Sequence, residues 1–257
     1  MKTMAIIQAR MASSRLPGKV LADIIDKPML YHVVYRAQQV PSLSLVAVAT
    51  SAGLADDAVA CFCAESNIPC FRGSEYDVLD RYYHAARHFD ADIVVRLTAD
   101  CPLLDPLVID KVVQTFREGD FDYVSNFLEC TYPDGLDTEV FWRPVLEQAW
   151  AEARLRSERE HVTSYIHRNP EIFRLGNVRN GENLSALRWT VDEPEDLEFV
   201  RAVYGYLKSI PSFGMVDILA LLHKHPELNK INARFMRNEG YTKSVREDLS
   251  LTGKDGN

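Results

Sequence analysis

The chain opens on an apolar run over 4–9, interrupted only by Gln8, which reads as a buried strand. A polar, irregular stretch over 10–19 follows, and helical periodicity then runs over 28–40. A second apolar strand is predicted over 45–50, a helix over 54–66 and a brief strand over 68–71. The pattern continues with a helix over 77–88, a central strand over 92–97 and a helix over 106–118 begun by Pro106 at its first turn. Short apolar runs alternating with amphipathic helices predict βαβ units on a parallel sheet.

After 122–126 the rhythm changes. A strand over 136–141 sits beside a Pro-Asp-Gly turn at 133–135, and 143–168 gives two charged helices. Strands are predicted over 173–178 and 187–191, helices over 194–207 and 215–223, and a mobile polar tail at the end. No internal repeat or low-complexity linker divides the chain. The expectation is one domain over 1–245 with an inserted dimerisation or acceptor segment at about 130–178, and a tail over 246–257.

The 257 residues are 47% hydrophobic and 26% charged, enough for a full core and against global disorder. The 29 basic and 37 acidic side chains leave a net charge of −8, which argues against a nucleic-acid binder but not against a small anion held locally. No apolar run is long enough to span a membrane. Five cysteines without framework spacing suggest reduced thiols and a cytoplasmic setting. Cys61 and Cys63 lack a second Cys/His pair, so small buried side chains are favoured over zinc.

Three segments carry candidate chemistry, each beginning where a strand ends, the edge at which open α/β sheets bind ligands. The first, from Arg10 to Lys19 (RMASSRLPGK), matches neither G-x-G-x-x-G nor the P-loop. It sets three cations (Arg10, Arg15, Lys19) and two hydroxyls (Ser13, Ser14) within ten residues, a spacing suited to a triphosphate. In the second, RLTADCPLLD, Asp100 is placed to hold Mg²⁺, and Asp105 reads as the cap of the following helix. The third, WTVDEPED, offers Asp192 as a second oxygen ligand, with Glu195 and Asp196 favouring the helix N-terminus.

Five motifs in order, QARMASSRLPGK, RLTADCPLLD, PDGLDTEVF, SEREHVT and TVDEPEDLE, together with the later NEGYTKS, resemble the SpsF-like cytidylyltransferases of spore-coat polysaccharide biosynthesis. These are relatives of CMP-Kdo and CMP-sialate synthetases and of phosphonate cytidylyltransferases. The resemblance spans about residues 4–245. It implies a nucleotide-diphospho-sugar transferase fold, a GT-A-like, Rossmann-type mixed sheet flanked by helices, commonly dimeric. It also implies Mg²⁺-dependent transfer of CMP from CTP to an acidic acceptor (sugar acid, phosphonate or phosphate) with release of pyrophosphate.

Carried over by position, the resemblance assigns Ala9, Arg10, Ser14, Arg15 and Lys19 to CTP, and Asp100 and Asp192 to magnesium. Lys19, Arg15 and Asp100 become the catalytic group. Arg72, Gly73, Ser74 and Asp77 match the loop approaching the base. Asp137, Glu139, Arg159, Glu160 and His161 fall where acceptor and dimer partner would meet. Compared with sialate synthetases the acceptor region is short, which argues against a sialic-acid-like acceptor.

Two rivals follow from the same residues. A GT-A glycosyltransferase would need Asp120-Phe121-Asp122 as its metal motif, yet that triplet opens a predicted strand instead of ending one. A sensing or assembly module with a decayed site is opposed by the presence of Lys19, Asp100 and Asp192. His161 reads equally as an acceptor-facing group or as a helix-face imidazole. His84 and His88 lack a third ligand, and Ser13 and Ser14 lack a triad pattern. Tyr31, Tyr35, Tyr82 and Tyr83 read as core or interface.

Overall fold

The computed structural model describes residues 1–237 and 239–252. In chain order its elements are β1 (Thr3–Gln8), β2 (Asp23–Ile24), β3 (Lys27–Pro28), α1 (Met29–Ala37), β4 (Leu45–Ser51), α2 (Asp57–Glu65), β5 (Cys70–Gly73), α3 (Val78–His88), β6 (Ile93–Thr98) and α4 (Pro106–Glu118). The second half holds β7 (Tyr123–Ser125), β8 (Glu139–Trp142), α5 (Arg143–Glu152), α6 (Arg156–Glu160), α7 (Ser164–Arg168), β9 (Leu175–Asn177), α8 (Pro194–Leu207), α9 (Met215–Lys224) and α10 (Glu239–Thr252).

Seven strands form one mixed sheet in the order β5-β4-β1-β6-β8-β7-β9, and β8 runs antiparallel to both its neighbours. The other pairings are parallel. Along β1 the side chains alternate between two cores: Ala5 and Ile7 face one, Met4 and Ile6 the other. All four are fully buried, which is why the run carries no polar alternation. Residues of α1, α4, α8 and α9 join the first core, and residues of α3, α5 and α7 the second.

Caps place the helices as their sequences suggest. The Asp105 carboxylate accepts from the Leu107 and Val108 amides at 2.7 and 3.4 Å, with Pro106 at the first position of α4. Asp77 caps α3 through the Asp80 amide at 2.9 Å. At α8 the Asp196 carboxylate accepts from the amides of Asp192 and Glu193, both at 2.9 Å, and so fixes the backbone of a candidate ligand.

Several expectations are corrected. The strand expected over 187–191 forms no ladder: it makes a single bridge, Asp134 to Arg188, and its Trp189 and Val191 amides bond the Asp134 and Asp100 carbonyls, which lie in loops. The two helices expected over 143–168 are three, interrupted where Val162 takes a left-handed φ of 61°. Within the 130–178 segment, the strands expected at 136–141 and 173–178 are present as β8 and β9, both in the sheet. Where a mobile tail was expected from 246, helix α10 runs to Thr252, and residues 253–257 lie outside the described residues. Among the described residues no helix is long and apolar enough to cross a membrane.

Gly135, in the Pro-Asp-Gly turn, has φ 104°, and a Cβ there would lie 2.6 Å from the Thr190 nitrogen and 2.7 Å from the Trp189 carbonyl carbon. Both contacts are backbone and cannot give way. Gly135→Ala is therefore expected to cost roughly 1–3 kcal/mol. Gly181→Ala, which meets nothing within 4 Å, should stay within about 0.5 kcal/mol of wild type. Urea unfolding of the two variants beside the parent protein checks the contrast.

Candidate active site

The loop after β1 is held in one shape. Gly18, at φ 73°, turns the chain so that its amide reaches the Met11 carbonyl at 2.9 Å. The buried Asp56 carboxylate accepts from the Met11 amide at 2.6 Å and the Ser51 amide at 3.2 Å, tying the loop to the end of β4. Lys19 leaves this loop pointing inward.

The Lys19 ammonium donates to Asp100 Oδ2 at 2.9 Å, Asp192 Oδ1 at 2.8 Å and the Val191 carbonyl at 2.7 Å. Burial works against its charge, but the two carboxylates overcome that and hold its pKa above the ordinary lysine value. Burial likewise opposes ionisation of Asp100, yet Lys19 and a hydrogen bond from Thr98 bring its pKa down to about 2. Arg15 pairs with Asp192 Oδ1 at 3.0 Å, Glu193 at 3.3 Å and Glu239 at 3.2 Å. Arg188 Nη2 reaches the other oxygen of Asp192 at 3.2 Å, and the guanidinium is itself anchored on Asp196 and Asp134.

Two adjoining cavities of about 520 and 550 Å³ open on these groups. Arg10, Ser13, Ser14, Arg15 and Lys19 line the first together with Asp100 and Asp192. Ala9 is buried at the loop's start, its amide bonded to the Ala49 carbonyl at 3.1 Å. The second cavity extends over Arg96, Asp137, Glu139, His161 and His167 to Tyr241. Arg96 and Glu139 face each other across the antiparallel β6–β8 pairing as a buried ion pair, and Tyr123 and Thr163 also donate to Glu139.

Asp100 and Asp192 suit a divalent cation chemically, since their oxygens already converge on one cationic nitrogen. Among the described residues no group of three or more His, Cys, Asp or Glu gathers for a metal. Two carboxylates completed by phosphate oxygens and water are the usual donor set for Mg²⁺.

Not every candidate residue comes to these cavities. Arg72 bonds the Ser51 and Gly53 carbonyls at 3.0 Å each and pairs with Asp57. The Ser74 carbonyl accepts from Arg81 at 2.7 Å. Asp77 holds Arg159 Nε at 2.8 Å, and Arg159 also donates to the Trp150 carbonyl. Arg72, Gly73, Ser74, Asp77 and Arg159 line neither cavity. Asp137 is paired with Arg237, and Glu160 lies 3.8 Å from Arg10. Asp120 and Asp122 pair with Arg174 at the start of β7. Because β7 runs parallel to β6, they sit at the opposite edge of the sheet from Asp100. That placement removes the metal motif a GT-A glycosyltransferase would need.

A cation-rich loop after β1, facing carboxylates at the ends of β6 and of the segment before α8, agrees with what similarity finds. Residues 4–224 match the family model described as cytidylyltransferase. The chain belongs to the cytidylyltransferase family. This cytidylyltransferase is a nucleotidyltransferase that uses CTP. It is 36% identical to protein MJ1063 of Methanocaldococcus jannaschii, over 94% of this chain and 98% of that one. It is 32% identical to the spore coat polysaccharide biosynthesis protein SpsF of Bacillus subtilis, over 86% of this chain and 94% of that one. Among solved structures, a cytidylyltransferase from Leptospira borgpetersenii serovar Hardjo-bovis superposes with a TM-score of 0.86 at 33% identity, covering 92% of this chain and 99% of that one.

Residue-by-residue reading missed Glu239 and Tyr241, which reach the site from the C-terminal helix, and Arg96, whose role depends on register. All three stand in the motifs named above, but their convergence is a property of the fold.

His161 is held below the ordinary imidazole value, at about 4, by burial first and then by Arg96; Glu160 and Glu139 pull the other way, and His167 and Tyr241 complete its surroundings. The unfolded imidazole takes its proton near 6.5. The stability this neutral histidine contributes is thus present above about pH 6.5 and is lost as pH falls toward 4. Histidine NMR titration is expected to find the His161 midpoint near 4, and His161→Gln should flatten that part of the stability–pH curve. A midpoint near 6.5 would contradict the assignment.

Proposed function

We propose that this cytidylyltransferase moves CMP from CTP onto an ionised oxygen of a small acidic acceptor, a sugar acid, phosphonate or phosphate, and releases pyrophosphate. The proposal includes Mg²⁺ held by Asp100 and Asp192, and a homodimer working in the cytoplasm. One observation carries it: a single lysine joins both carboxylates in the cavity that the cation-rich loop lines. That combination suits a polyphosphate, where charge neutralisation and alignment supply most of the catalysis.

In this reading the acceptor oxygen attacks the α-phosphorus. A new P–O bond forms as the bond to the bridging oxygen of the β-phosphate breaks, and pyrophosphate departs in line. Arg10, Ser14 and Arg15 orient the triphosphate, while Lys19 and Arg15 neutralise charge developing on the leaving pyrophosphate. Arg188 and Asp196 keep the Asp192 carboxylate and backbone fixed while this happens. When bound, Mg²⁺ held by Asp100 and Asp192 would neutralise phosphate charge. His161, with its pKa near 4, is a poor base at neutral pH. An acceptor whose oxygen is already ionised needs no such base, which favours phosphate, phosphonate or carboxylate nucleophiles.

Pyrophosphate release should be fastest with CTP when each nucleoside triphosphate is offered with Mg²⁺ and a panel of acidic acceptors. Asp100→Ala and Asp192→Ala should abolish turnover, and near-normal rates in either would sink the metal assignment. Lys19→Ala is expected to lose roughly 2–4 kcal/mol of transition-state stabilisation, read as a fall in kcat. A raised KM alone would mean that Lys19 acts only in ground-state binding. Sedimentation of the purified protein checks the dimer.

A further inference from the structure

Beyond Asp100 and Arg15 the nucleotide-side cavity opens into the larger one, whose basic side chains are all tied to acids. Arg96 is neutralised by Glu139, Asp137 by Arg237, Asp134 by Arg188, and Arg15 by Asp192 and Glu239. His161 and His167 both lie below the ordinary imidazole value because they are buried, and so are uncharged near neutral pH. Among the described residues of this wall, both basic side chains, Arg15 and Arg96, are already paired with acids, so an anionic group entering finds no unpaired cation there.

What the wall leaves unmet is hydrogen bonding. His161 Nε2, the Ser164 hydroxyl and Arg96 Nε are buried without a hydrogen-bond partner, and all three residues line the cavity. Ser164 is completely buried. Buried polar atoms are costly until a partner arrives; a ligand oxygen can accept from Arg96 Nε, and a ligand hydroxyl can pair in either sense with the Ser164 hydroxyl or, according to its tautomer, with His161 Nε2.

Over them stands Tyr241, its ring edge-on to His161 at 5.1 Å and 6.1 Å from His167. It is carried by α10, which is pinned to α6. The Ser244 hydroxyl meets Glu160 at 3.3 Å, the Ser157 amide meets Asp248 at 3.2 Å, and Arg156 pairs with Glu247 at 3.6 Å.

We propose that α10 completes the acceptor subsite and that Tyr241, with His161 and Ser164, selects the acceptor by receiving its uncharged, hydroxyl-bearing portion while its ionised end faces Asp100. The proposal rests on the CTP-dependent transfer inferred above and adds which residues choose the acceptor. Tyr241 and Ser164 line the larger cavity and not the nucleotide-side one, so they act on specificity and not on the triphosphate.

The two ideas are tested separately. Titration calorimetry with CTP and Mg²⁺ comes first: absence of CTP binding to the wild-type protein removes the transfer reading and this proposal with it. Pyrophosphate release is then compared for acceptors matched in charge, sugar phosphates and sugar acids against alkyl phosphates, alkylphosphonates and short carboxylates. The hydroxylated members should be used with a kcat/KM about tenfold higher or more. Tyr241→Ala should raise the KM for such an acceptor by about tenfold, and Ser164→Ala by several-fold, with the KM for CTP within about twofold of wild type. Tyr241→Phe, which keeps the ring, should recover most of the loss. Equal use of both acceptor classes overturns the proposal, as does no turnover of any hydroxylated acceptor by protein that binds CTP. An acceptor KM unmoved in both alanine variants, or a CTP KM that rises in parallel, also overturns it. Thermal melting shows which variants are folded, and Ser164→Ala carries the test should Tyr241→Ala unfold.

Discussion

A buried ammonium cannot be left alone, and the architecture around Lys19 answers that constraint. The side chain leaves the loop after β1 and finds its partners 81 and 173 residues away, at the ends of two other segments. Removing both carboxylates would leave the ammonium without compensation in a desolvated place, where such loss is strongly destabilising. Three distant stretches of chain are therefore fixed to one point. The strand order makes this possible: β1 and β6 are adjacent and parallel, so the residues that follow them emerge at the same edge.

A second layer holds the first in position. Arg188 divides its guanidinium among Asp134, Asp192 and Asp196, and Asn232 closes the group through its amide to Asp196 and to the Arg188 carbonyl. Burial alone would raise the Asp196 pKa, but Arg188 and the backbone amides at the start of α8 bring it below the ordinary carboxylate value. One buried carboxylate thus caps a helix, anchors an arginine and positions Asp192. Side chains at a reacting centre need such support, because small displacements there are costly.

Much of this was legible because local rules agreed with the fold. The strands at 4–9, 45–50 and 92–97 are apolar on both faces, as only the middle of a covered sheet requires, and Asp105-Pro106 announces α4 by capping chemistry. The small β2–β3 hairpin was not legible: its turn puts Ile25 and Asp26 at positive φ (47° and 67°), and a β-branched residue gives no signal for that. Of the site, the contiguous loop 10–19 and the carboxylates at strand ends could be read from sequence. The Arg96–Glu139 pair could not, because register between strands so far apart is set by packing and not by either strand's pattern. Nor could Tyr241, whose helix looked like a polar end until its contacts with α6 were seen.

The position of that helix has a consequence for how the protein is made. By the time residue 192 has left the ribosome, all seven sheet strands, the loop and both candidate ligands exist. Glu239 and Tyr241, on the wall of the second cavity, emerge more than forty residues later. During synthesis the nucleotide half of the site precedes the acceptor half, and the larger cavity stays open on one side until the final helix arrives.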